Sequence, residues 1–207
     1  MESDSGDGLF FASSPFKMFS HGPENAENEL RKAFHQTVEC EVTHLWDRGP
    51  IPEVAPSEVS ALYRQAFDAW RSGKLLYSER LARACKHLGR ALCHEARLHY
   101  WIPRTESLPS LEGGQAATDL AEALDDTLQH LHCLAERLNP DLEPYFQRAQ
   151  RHLTELRAQA SPPLPDLVRS ARIQAAHEYA RTVECLLLAL ELHPWSPVGL
   201  TLAPKAA

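Results

Sequence analysis

Arg83, His87, Arg90, His94, Arg97 and Trp101 recur at alternating steps of four and three residues, so a helix through them carries all six on one face. A cationic stripe of that kind can hold phosphates by charge, and its terminal tryptophan can stack a base. Between Lys74 and Arg104 the chain has seven Lys/Arg against two carboxylates, while its formal net charge is −7. Residues 105–143 reverse the balance, with nine carboxylates against Arg137 alone. A helix formed there would run back antiparallel to the basic one and could share its charge, each exposed pair contributing little. The negative whole-chain balance disfavours nonspecific nucleic-acid binding. The six residues are therefore read as a partner-binding face or as one side of a charge-paired helix interface.

The eleven histidines raise the question of a metal. Glu41-Val42-Thr43-His44 has the Glu-x-x-His spacing of di-iron bundles, but such sites need a second copy and two further glutamates. His94-Glu95 begins like H-E-x-x-H, yet Leu98 stands where the second histidine belongs. His130, His132 and Cys133 point to different sides of one helix. No metal or cofactor is expected. No G-x-S-x-G elbow and no glycine-rich phosphate loop occurs, and no catalytic residue is assigned. The five cysteines (Cys40, Cys85, Cys93, Cys133, Cys185) form no C-x-x-C pair and read as reduced thiols that serve as small core hydrophobes.

The elements that position these residues are helical. Of 207 residues, 43% are hydrophobic and 24% charged, the profile of one globular domain with tails. Leu30, Phe34, Val38, Val42 and Leu45 mark the expected inner stripe of a helix from Glu24 to Asp47. Pro50, Pro52 and Pro56 form a stiff linker, and Ser57 is the expected N-cap of a second helix ending at Trp70. A third runs from Lys74 to Trp101, followed by a loop over 103–115. The fourth, Ala116 to Leu138, turns Leu120, Leu124, Leu128, Leu131, Leu134 and Leu138 to one face and acids to the other. Asn139-Pro140 opens a fifth helix with Leu142, Tyr145, Phe146, Ala149 and Leu153 inward. A linker over 160–165 leads to a last helix from Pro165-Asp166 to His193. The fold class expected is an all-α antiparallel bundle or stacked helical hairpins, with five to six helices over 24–194.

Residues 1–23 are expected to be a disordered acidic tail, and 195–207 a second tail. Phe10, Phe11, Phe16 and Phe19 place four of the seven phenylalanines in the first 19 residues. Such a segment can dock in a partner's groove or fold back on its own helices. No run of about 18 apolar residues occurs, so no membrane span is expected. With no basic-then-apolar leader at the N-terminus, the chain reads as soluble, intracellular and cytoplasmic.

The last helix, His177 to Pro194, resembles the second helix of a tetratricopeptide repeat in its closing Ala189-Leu190-Glu191-Leu192-His193-Pro194. That likeness implies a hairpin over 165–194 of the kind that stacks into peptide-binding grooves. Residues 57–101 also resemble HEPN domains, some of which are metal-independent ribonucleases with an arginine followed at short spacing by a histidine. That resemblance implies Arg80 at the scissile phosphate and His87 in proton transfer. The leading expectation is a non-enzymatic helical adaptor with a protein partner. The alternatives are a HEPN-like ribonuclease or RNA-binding domain, and a structural subunit of a larger assembly.

Overall fold

Proline, glycine and asparagine set the helix ends. The computed structural model describes residues 23–46, 56–107, 114–158 and 164–192, and these form six α-helices with no strand among the described residues. They are α1 (Pro23–Trp46), α2 (Pro56–Arg71), α3 (Leu75–Trp101), α4 (Gly114–Ala135), α5 (Glu143–Ala158) and α6 (Asp166–Leu192), an all-α bundle. Pro56 occupies the first turn of α2, where its missing N–H costs nothing, so Ser57 lies inside the helix and is not its cap. Gly73 takes φ +74° after α2, a left-handed value that suits glycine, and the Lys74 N–H returns to the Ala69 carbonyl at 2.9 Å. Asn139 accepts from the Asp141 N–H at 2.9 Å and caps the short 3-10 turn Pro140–Leu142 that leads into α5. The first part of the expected 103–115 loop is also 3-10 turn, Ile102–Ser107.

Two long helices, α3 and α6, form the centre. They run antiparallel: Leu98 packs with Val168 and Ala171, while farther back along α3 His87 meets Glu178. Helices α1 and α2 pack on α3, and α4 and α5 on α6. Glu29 reaches Lys86 and Gln36 reaches Cys93, so α1 is parallel to α3. The Ser78 hydroxyl donates to the Ala66 carbonyl and the Cys85 thiol to that of Val59, so α2 is antiparallel to α3. On the other side, His130–Glu184, and Arg137–Glu191 in the turn just after α4, make α4 parallel to α6. Glu155–Arg172 and the stacked rings of His152 and Tyr179 make α5 antiparallel to it.

The second half therefore repeats the first. The helices are 24, 16 and 27 residues long in α1–α3 and 22, 16 and 27 in α4–α6. Leu75 and Asp166 are 91 residues apart, and so are His87 and Glu178, which bond to each other. Pro56 and Glu143 are 87 apart, and so are Glu58 and Tyr145, also bonded to each other. Because α3 and α6 run antiparallel, a contact between equivalent positions places a twofold relation, and not a translation, between the halves. These two contacts mark an approximate axis through the bundle.

The core holds Leu62, Leu88, Leu92, Leu142, Tyr145, Tyr179, Val183 and Leu186. It also buries a charged group, Glu95, which accepts from His152 Nε2 at 2.9 Å and lies 3.5 Å from Arg148. Burial raises the Glu95 pKa, but the bond from His152 and the charge of Arg148 outweigh it and hold the carboxyl below its usual range.

Two expectations about helix packing fail. On α1 only Leu30 of the expected stripe is buried. Phe34, Val38, Val42 and Leu45 face outward, and Ala26, Ala33, Gln36, Thr37 and Cys40 face in. The reason is the closeness of α1 to α3: a Cβ on Gly89 would lie 2.8 Å from Gln36 Cγ and 3.3 Å from its carbonyl oxygen. Such a contact admits small side chains and excludes large ones. Secondly, the acidic α4 packs on α6 and not on basic α3. Leu131 and Leu134 are its buried anchors, with Leu124, Leu128 and Leu138 packed against the same core.

Candidate functional site

With α1 and α4 flanking the same side of the central pair, a cleft opens between them over the α3/α6 seam. Its volume is about 590 Å³, the size of a small-molecule pocket. Gln36 and Glu39 come from α1, Arg90, Cys93, His94 and Arg97 from α3, Asp126 and Thr127 from α4, and Gln174, His177 and Glu178 from α6. At its base the His87 Nδ1–H donates to Glu178 Oε2 at 2.5 Å, and Arg90 lies 3.7 Å from Glu178 Oε1. Burial pushes the Glu178 carboxyl up, but the His87 bond, with the charges of His87 and Arg90, holds it below the ordinary value. Burial and the neighbouring Arg97 lower the His94 pKa, and burial lowers that of His177.

The six-residue stripe on α3 is thus divided among four environments. Arg83 is taken up by Glu79 at 2.6 Å and lies 4.0 Å from Glu29. His87 is held by Glu178. Arg90, His94 and Arg97 face the cleft. Trp101 leaves the stripe and packs half-buried with Leu98, Val168, Ala171 and Leu164, an apolar cluster and not a stacking platform. The charge that α3 meets is carried by Glu29 on α1 and Glu178 on α6. Phe10, Phe11, Phe16 and Phe19 lie outside the described residues. Among the described residues no group of three or more His, Cys, Asp or Glu side chains could hold a metal, and no helix is long and apolar enough to cross a membrane. Cys133 is exposed, unlike the other four cysteines, and departs from the reading of the thiols as core hydrophobes.

A second feature lies on the outside of the α1/α2 hairpin. Phe34 is 50% exposed, Val38 43%, Val42 46% and Leu45 78%, and Phe67 of α2 is 39% exposed beside them. Phe34 and Tyr63 have ring centroids 5.7 Å apart, Tyr63 and Phe67 6.4 Å, and Phe67 and Trp70 5.8 Å. The result is a continuous ladder of rings bordered by an aliphatic ridge. Apolar residues exposed singly are ordinary, whereas a contiguous exposed ridge of this length is not. Its periodicity is plain in the sequence. Its direction is not, although Ala26, Ala33 and Cys40, small residues seven apart, signal the close-packed face.

Comparison with known proteins finds no matching family model, no similar curated protein and no similar solved structure.

Proposed function

We propose that this chain is a non-enzymatic interaction module whose α1/α2 face takes an amphipathic helix of another protein, with acidic side chains flanking that helix's apolar stripe. The observation that carries the reading is the outward display of Phe34, Val38, Val42 and Leu45 on α1. These anchors span about 16 Å, three turns, the length over which helix-in-groove recognition places its contacts. Chemistry at the Phe34/Phe67 end of the rim favours an acidic partner: Arg64 and Arg71, both exposed and seven residues apart, flank Phe67, and His35 adjoins Phe34. The exposed Glu41 farther along α1 is already engaged by the Ser60 hydroxyl. The architecture alone does not require an apolar outer face. The outward face of α4, the counterpart of α1 in the second half, carries Glu122, Asp125 and Gln129, all exposed.

The test is fluorescence anisotropy on the full chain, with two labelled synthetic helices of five turns. Each carries leucine at i, i+4, i+7 and i+11, one flanked by glutamate and the other by lysine. The glutamate helix should bind at least about tenfold tighter, a difference of roughly 1.4 kcal/mol, and added salt should weaken it. Phe34→Glu should abolish that binding without unfolding the chain. Equal affinity for both helices, or binding that survives Phe34→Glu, overturns the reading. So does binding seen only after removal of residues 1–22, which would make the chain's own N-terminal segment the occupant. A concentration-dependent dimer lost in Phe34→Glu would make it a second copy and equally overturn the proposal.

A further inference from the structure

Three thiols gather where α1 crosses α3, and two of them face each other. Gly89 and Gln36 mark the closest approach of the two helices. Because α1 and α3 are parallel, one turn onward from each stand Cys93 and Cys40. Gln36 Nε2 donates to Cys93 Sγ at 3.6 Å, and the Cys93 thiol donates to Thr43 Oγ1 at 3.9 Å, Thr43 standing one turn beyond Cys40. Cys40 Sγ is 3.7 Å from His44 Nδ1. Cys40 stands between Gln36 and Thr43, the two α1 residues that Cys93 Sγ touches, so both thiols share one stretch of the α1/α3 seam. Cys40 is wholly buried, whereas Cys93, 3% exposed, forms part of the cleft wall near Arg97.

We propose that Cys93 is a site of oxidation by hydroperoxides and that Cys40 is its resolving thiol. The Cys93 thiolate attacks one peroxide oxygen, the O–O bond breaks, and the other oxygen leaves as an alcohol, or as water from hydrogen peroxide. Cys93 becomes a sulfenic acid. Cys40 sulfur then attacks Cys93 sulfur and the S–O bond breaks. Water leaves carrying the Cys40 proton, and a disulfide joins α1 to α3. Two thiols are oxidised and one hydroperoxide is reduced. Neighbouring Cys40, then Thr43 and Arg97, outweigh burial and hold the Cys93 thiol below its usual pKa. Cys93 and burial push the Cys40 thiol up, so Cys93 is the thiolate of the two. The third thiol, Cys85, is different. Burial pushes it up to about 11, and it is bonded to the Val59 carbonyl away from the cleft.

The experiment treats the folded chain, in a Cys133→Ser background that removes intermolecular coupling, with a small excess of hydrogen peroxide. Alkylation and non-reducing peptide mapping follow. The expected result is loss of two alkylatable thiols and a Cys40–Cys93 linked peptide, with Cys85 and Cys185 recovered free. In Cys40→Ser, dimedone should label Cys93 as a sulfenic acid. Recovery of Cys40 and Cys93 as free thiols, a linkage through Cys85, or a folded Cys40→Ser protein without the dimedone adduct overturns the proposal. If Cys40→Ser does not fold, the Cys133→Ser map decides alone.

Discussion

The pair His87–Glu178 ties the centre of the molecule together at the base of the cleft, and its pH response follows from its direction. Glu178 has its folded pKa below the ordinary 4.5, so its contribution is complete above that value and is lost as pH falls through the folded one. His94 and His177 have folded values below 6.5, so the unfolded chain takes up their protons first and stability declines as pH drops below 6.5. Urea unfolding at pH 7, 5 and 3.5 should therefore show two successive losses. His94→Gln should flatten the first, and Glu178→Gln the second. At pH 7, Glu178→Gln should cost about 1–3 kcal/mol, because His87 and Arg90 lose their charged acceptor. A pH profile unchanged in both variants would contradict these assignments. Of this pair the sequence exposed only one member. His87 was legible from its place on the stripe, but nothing local points to a carboxylate 91 residues away.

At the scale of an element, α1 works in the opposite sense to a simple amphipathic helix. Its large side chains look outward because the inner face must approach α3 closely over Gly89. Phe34→Ser should therefore cost no more than about 1 kcal/mol, the loss of a half-exposed ring that touches Tyr63 at 5.7 Å between centroids. Gly89→Leu should destabilise by about 1–3 kcal/mol or more, since its side chain would collide with Gln36 and force the helices apart. Urea midpoints of the two variants check both, and the reverse order of effects would reinstate the buried stripe. The inner face of α4, though not its neighbour, was read correctly because its leucines are large and its opposite face is charged. Helix α1 misled because size, and not polarity, separates its two faces.

For the whole molecule, the consequence of two three-helix halves sharing one α3/α6 centre is cooperativity. Neither half has a core independent of the other: Leu88 and Leu92 of α3 belong to the same cluster as Tyr179 and Val183 of α6. Far-UV circular dichroism and tryptophan fluorescence should give one coincident unfolding transition. Two separated transitions would show that the halves are autonomous. What the sequence determined by itself is the helical content, nearly every helix boundary, and the inner faces of α4 and α5. Those follow from local signals: proline and glycine at the ends, and bulky apolar residues at helical spacing. Only the tertiary structure decided that α1 turns its apolar ridge outward, that α4 serves α6, and that the molecule is an internal repeat. The repeat escapes the sequence because its equivalent positions hold different residues, His87 against Glu178 and Leu88 against Tyr179. A twofold arrangement conserves where helices sit and which way they run, and the side chains that meet across its axis need only be complementary.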